Sequence, residues 1–252
     1  MTVKTPTGTQ QRSPDQKKKF LVVVDGNPSE LFSAGMLLQR LEYSVFTAST
    51  AEEALQLMEV TLPSAIITEL LLPKTNGMDL LNRIKQDPRT KDVPVIIHTH
   101  MKDPKIEELC MVAGCASYLR KPTDPNTLYR SIQYVMESTP RHYIRLKTCF
   151  KVLIGNEARG SVTSSECVTA LSENGIYIRT VRQRPVNALL PITIFIADRK
   201  VSVRAMVLYC ITGANGPLKE PGMGMKFAEI SGEDREFIRK FIKDEITRGL
   251  AS

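Results

Sequence analysis

The sequence predicts two unlike units in one chain: a doubly wound α/β domain of five βα repeats, then a six-stranded antiparallel β-barrel closed by a C-terminal helix. Three observations predict it. Short apolar runs alternate strictly with helical-period stretches from residue 20 to residue 137. Beyond Ser138 the helical stretches stop and strand-like segments follow one another, separated by Gly, Asn and Pro. The charge balance also changes sign between the two halves. Residues 20–139 carry 11 basic and 15 acidic side chains, residues 140–252 carry 18 basic and 11 acidic.

Residues 1–19 are polar, contain two prolines and end in Lys17-Lys18-Lys19, the pattern of a solvated, disordered tail. FLVVVD at 20–25 is the first strand, an apolar run too short for a helix and ended by an acid. Leu31, Gly35, Leu38 and Leu41 then recur at helical spacing over 28–41. The alternation continues as strand 44–48, helix 51–59, strand 64–69, helix 77–86, strand 94–98, helix 104–113, strand 116–119 and helix 125–137. Strands apolar on both faces with helices between them predict a parallel sheet covered on both sides, in the order 2-1-3-4-5.

The domain break falls at 138–141, Ser-Thr-Pro-Arg, dividing a first domain at 20–138 from a second at 139–252. KVLIG, CVTAL, GIYIRT, ITIFIA, VSVRAMVLYC and GMKFAEI supply the six strands. The closing helix starts at Ser231, three residues before Asp234, and its spacing puts Phe237, Phe241, Ile242 and Ile246 on one face.

Composition excludes several classes. Apolar residues make up 42% and charged residues 24%, the balance of an ordinary folded protein. No run approaches the roughly 18 apolar residues of a membrane span, and the N-terminus lacks the apolar core of a secretory signal. A cytoplasmic location with no membrane span is the expectation. The five cysteines are scattered without a CxxC pair and there are three histidines, so neither a disulfide framework nor a metal site is expected. His98 and His100 flank Thr99 with no third ligand in view. No nucleophile–base constellation appears, and the basic half reads as strands without a helix-turn-helix, so neither catalysis nor DNA binding is expected. An acidic unit joined to a basic one implies different partners, with an anion suited to the second.

Ligands of open α/β sheets bind at the carboxyl ends of the strands. Those ends carry Asp25-Gly26, Glu69 followed by Pro73, Thr99, and Lys121-Pro122. With the βα order, this set resembles the flavodoxin-like receiver domain of bacterial response regulators over residues 20 to about 138. In that family an acidic pair after the first strand holds magnesium, and an aspartate ending the third accepts a phosphoryl group. A Thr or Ser and a Lys contact the phosphoryl oxygens, and an aromatic residue of the fifth strand follows the change. Asp25, Thr99, Lys121 and Tyr118 match. Gly26 replaces the second acid and Glu69 stands at the phosphoacceptor position, so no metal is expected and the unit reads as a pseudo-receiver. The longer Glu69 side chain is expected to meet Lys121 directly, either as a structural ion pair or as a stand-in for the phosphate. In the family the face of the fourth helix, fifth strand and fifth helix often dimerises; Cys110, Met111 and Tyr118 fall there.

The second half opens with Arg141-His-Tyr-Ile-Arg145, and ALSENG later places Ser172 and Gly175 at a turn between two strands. GMGMKF follows at 222–227. Together these resemble the PilZ domain, a six-stranded barrel that binds cyclic di-GMP, over residues 141 to about 246. Arg141 and Arg145 fit its RxxxR motif. Ser172 and Gly175 fit [D/N]xSxxG, whose leading position is Ala170 here. Guanidinium groups bond phosphates and guanine edges bidentately, a serine hydroxyl adds a hydrogen bond, and glycine permits close backbone approach. The resemblance implies cyclic di-GMP as ligand and a signalling or motility protein as partner. Ala170, Gly26 and Glu69 keep open the alternative of an adaptor that has lost ligand chemistry and works only by protein contact.

Overall fold

Why the α/β order folds as it does is visible in the burial of its strands. In the computed structural model, which describes residues 19–155, 166–213 and 220–250, β1 (Phe20–Val24), β3 (Ala65–Thr68) and most of β4 (Val95–Thr99) are buried on both faces. β2 (Ser44–Ala48), at the sheet edge, and β5 (Ser117–Arg120) are more exposed. The sheet is parallel, in the order β2-β1-β3-β4-β5.

The helices start where the chain offers caps. Asn27, Thr50, Asn76, Asp103 and Asp124 each accept a backbone N–H at the start of α1 (Pro28–Arg40), α2 (Ala51–Val60), α3 (Gly77–Gln86), α4 (Pro104–Val112) and α5 (Pro125–Met136). Proline stands in the first turn of α1, α4 and α5, where its missing donor costs nothing. The most N-terminal part of the proposed tail, residues 1–18, lies outside the described residues. Lys19 itself bonds Glu137 at 2.9 Å.

The second unit is a closed barrel in the order β10-β11-β8-β7-β6-β9. Its strands are β6 (Leu146–Ile154), β7 (Cys167–Ser172), β8 (Gly175–Arg179), β9 (Leu189–Ile196), β10 (Arg199–Ile211) and β11 (Gly222–Glu229). β6 begins five residues earlier than the apolar run KVLIG suggests, because polar side chains of Lys147, Cys149 and Lys151 alternate outward on a barrel wall. α6 (Gly232–Thr247) is capped by Ser231. Its buried stripe is Ile238, Ile242 and Ile246; of the predicted face, Ile242 and Ile246 lie on it, and Phe237 and Phe241 pack half-buried against the same core. The two rings flank that stripe: Phe241 stands edge-on to Phe150 with centroids 5.7 Å apart, and the Arg199 guanidinium lies 4.8 Å from the Phe237 centroid.

The two units share one apolar cluster. Leu38 of α1 and Leu128 and Ile132 of α5 belong to the same packed set as Val168 and Ile178 of the barrel and the isoleucines of α6. Polar contacts follow the seam: Arg40 donates to the Ile246 carbonyl at 2.9 Å, capping the end of α6, and Lys243 pairs with Asp124 at 3.3 Å.

Candidate functional site

The carboxyl ends of β1, β3, β4 and β5 converge as a sheet of this order requires. Lys121, 5% exposed in its side chain, sits at the centre. Its ammonium lies 2.5 Å from Asp25 Oδ2, 3.0 Å from Glu30 Oε2 and 3.2 Å from Glu69 Oε2. The other Glu69 oxygen accepts from the Thr99 hydroxyl and from the backbone amides of Leu70 at 2.6 Å and Leu71 at 3.3 Å. Asp25 Oδ1 accepts from Asn27 N at 2.9 Å. The four residues singled out from the sequence therefore stand together, and Glu30 joins them. Its signal was an acid in the first turn of a helix that starts beside the strand ends.

Burial works against the charges of Glu69, Glu30 and Lys121, and their partners overcome it. Burial raises the Glu69 pKa, yet Thr99, Lys121 and the two amides bring it below the ordinary carboxylate range. Glu30 is lowered in the same way by Lys121 and His100. Burial depresses Lys121, and the bonds to Asp25 and Glu30 reverse that and raise it. The Glu69–Lys121 contact is thus a buried network, not the wet surface pair that would contribute little. His98, pushed down to about 4 by burial and by Lys121, bonds Thr123 at 3.1 Å, and His100 bonds Glu30 at 3.1 Å.

The residues do not fit a magnesium ion. Gly26 replaces a carboxylate, and a Cβ added there would stand 2.5 Å from Cδ and 3.0 Å from Cγ of the Pro73 ring. The positive charge that the remaining carboxylates need is already supplied by Lys121. Among the described residues no cluster of three His, Cys, Asp or Glu side chains is arranged to hold a metal.

The three residues assigned to the face of α4, β5 and α5 differ in exposure. Cys110 is fully buried in the core, because it falls on the inner stripe of α4. Tyr118 is half-buried, its hydroxyl donating to the Met101 carbonyl at 3.1 Å. Only Met111 of the three is exposed, alongside Leu109 and Val112.

The second candidate site lies on the linker and the β7–β8 hairpin. Leu146 pairs with Leu171 and Lys147 with Ala170, and Arg145 directly precedes this ladder. Arg141 and Arg145 are exposed, while Ile144 between them is 2% exposed and anchored in the shared core. Burial raises the pKa of Tyr129 of α5, and the positive charges of Arg141 and Arg145 pull against that. Ser172 Oγ donates to the Gly175 carbonyl at 3.0 Å within the hairpin. A Cβ on Gly175 would stand 2.3 Å from the Met225 carbonyl, so glycine is required there by the β8–β11 contact. Ala170 is buried.

A cavity of about 650 Å³ opens at the seam between Asn126 and Arg130 of α5, His142 and Tyr143 of the linker, and Arg239 and Lys240 of α6. Arg141, Arg145, Ser172 and Gly175 do not line it. Arg141 borders a smaller hollow of about 370 Å³ with Arg130, Tyr134 and His142. The sequence reading passed over Gln133. This amide is 8% exposed, donates to the Tyr43 hydroxyl at 2.8 Å and accepts from the Arg141 amide at 3.1 Å. Its signal was a polar residue on the apolar stripe of Leu128, Tyr129 and Ile132.

Comparison with known proteins bears on the first half. The family model for the response regulator receiver domain matches residues 21–133. Protein PilH of Pseudomonas aeruginosa is 26% identical over 117 residues, covering 46% of this chain and 96% of that protein. The gliding motility regulatory protein of Myxococcus xanthus is 30% identical over 110 residues, 44% of this chain and 14% of its own length. Histidine kinase P4 of Formosa agariphila is 27% identical over 126 residues, 50% of this chain, and this chain spans only 9% of that kinase. Among solved structures, a response regulator of Chloroflexus aurantiacus is 32% identical, with 48% of this chain and 98% of that one covered at a TM-score of 0.46. The chemotaxis response regulator CheY4 of Vibrio cholerae is 24% identical, covering 47% and 99% at a TM-score of 0.44. By sequence match and strand order together, residues 21–133 are a response regulator receiver domain.

Proposed function

We propose that this protein is a signalling module in which a receiver domain with no need of phosphorylation is coupled to a PilZ-like barrel that senses cyclic di-GMP. The observation that carries the reading is the arginine pair: Arg141 and Arg145 are exposed, and Arg145 directly precedes β6, which pairs with the β7 that ends in Ser172. Two guanidinium forks beside a hydrogen-bonding hairpin suit a ligand with two phosphates and two guanine edges. In the receiver, Glu69 already draws in Thr99 and Lys121, and Tyr118 is turned toward the Met101 carbonyl. That arrangement supports a permanently engaged state acting through protein contact. The name of the gliding motility regulatory protein favours an output in motility, which this reading carries through a partner protein in the cytoplasm.

Isothermal titration of cyclic di-GMP into the full chain tests this. Saturable heat that is lost in Arg141→Ala and Arg145→Ala supports the site; heat unaffected by both substitutions rejects it. One observation favours a second reading, a ligand-independent adaptor: Ser172 and Gly175 both have purely structural duties in their hairpin. Absence of any binding heat selects that reading.

A further inference from the structure

The two arginines of the linker are held by different bodies. Arg145 directly precedes β6, whose first residue pairs with Leu171 in the barrel. Arg141 is fixed by the receiver. Its backbone amide donates to Gln133 Oε1 at 3.1 Å. Gln133 is itself oriented by donating to Tyr43 at 2.8 Å. Burial pushes the Tyr43 phenol up to about 12, so it stays protonated and neutral across physiological pH. Gln133 and Tyr129 lie four residues apart on α5, one turn of helix, on the face turned toward the seam. A buried amide satisfied on both sides has one orientation, since reversing it would set donor against donor at the Arg141 amide.

We propose that Gln133 is a positioning residue of the anion site: with Tyr43 behind it and Tyr129 beside it, the receiver's α5 presents Arg141 to the ligand held by Arg145 and the β7–β8 hairpin. The inference rests on the reading of function above, and it makes the receiver a structural contributor to a site that the motif alone assigns to the barrel. Through this contact any partner that shifts α5 changes how the two guanidinium groups converge, and the ligand in turn reports on α5.

The test is Gln133→Leu, which keeps the volume and removes both hydrogen bonds, beside Gln133→Glu, which keeps the acceptor for the Arg141 amide and lets Tyr43 become the donor. Two measurements are made on the full chain: cyclic di-GMP affinity by calorimetry, and amide hydrogen exchange at Arg141 without ligand. Positioning predicts faster exchange at Arg141 and binding weaker by about five- to tenfold in Gln133→Leu, the size of one or two hydrogen bonds, with recovery in Gln133→Glu. Unchanged exchange at Arg141 overturns the proposal, as does unchanged affinity in a protein whose wild type binds. A wild type that never binds cyclic di-GMP overturns the functional reading, and with it this proposal, even where exchange shows that the clasp on Arg141 exists. Weaker binding without recovery in Gln133→Glu, alongside slowed exchange, also counts against it.

Discussion

The two charged sites of this protein are built on opposite plans. In the receiver, buried Lys121 is paired with buried Asp25 and Glu69 and with half-exposed Glu30, and Glu69 is held by Thr99 and two amides, so the charges satisfy one another. On the linker, Arg141 and Arg145 are exposed, with a neutral phenol as their shared neighbour. A site that has paired its charges internally resists a new ligand, because an incoming ion must break what is there. An exposed cation pair next to a hydrogen-bonding hairpin invites an anion. The contrast separates a structural core that keeps the form of a switch from a surface suited to reading a diffusible signal.

The sharpest way to break the comparison is to open the closed site. Lys121→Met leaves the buried carboxylates of Asp25 and Glu69 without their cation, beside the half-exposed Glu30. Urea unfolding should show a loss of about 3–5 kcal/mol, the cost of stripping one partner from a buried ion pair. A loss below about 1 kcal/mol would mean the network is as wet as a surface pair. Arg145→Ala should act on the other site alone, weakening cyclic di-GMP by about ten- to a hundredfold while leaving the urea midpoint in place. Gly26→Asp restores the missing acid, yet it drives a side chain into the Pro73 ring. It should cost about 1–3 kcal/mol as overpacking does, and magnesium should not raise its melting temperature. A magnesium-dependent rise would show that the β3–α3 loop yields and that metal binding lies one substitution away.

Acid and base titration offers the mildest perturbation. The folded-state pKa values of Glu69 and Glu30 are lowered, so their contribution is complete above the ordinary carboxylate range and fades as pH falls through the folded values. Lys121 is raised, so its contribution is complete below the ordinary lysine value and fades as pH rises through the folded one. Stability by chemical denaturation should be flat across neutral pH and fall at both ends, and Glu69→Gln should shallow the acid limb. An unchanged acid limb in that variant would place the acid sensitivity elsewhere.

How much of this was legible beforehand depended on range. The βα alternation is a local signal, and with right-handed crossovers it gave the elements and the sheet order. The strand ends gave Asp25, Glu69, Thr99 and Lys121, because topology alone brings those ends together. Glu30 and the Pro73 ring against Gly26 depend on how two loops settle on each other, which no spacing records. On the barrel side, β6 was read too short because its outward Lys147, Cys149 and Lys151 dilute the apolar pattern. Gln133 was visible only as a polar interruption of an apolar stripe, and its meaning needed the linker to fold back on α5. The shared core between the units left no local trace, since apolar faces of α1 and α6 look alike whether they cover their own sheet or a neighbour.

One calorimetric experiment reaches the central contrast directly: cyclic di-GMP titrated into the full chain before and after incubation with a small acyl-phosphate donor and magnesium. A closed receiver site beside an open arginine site predicts saturable binding with the same affinity in both samples. Binding that emerges only after the phosphoryl donor, or no binding in either sample, would contradict it.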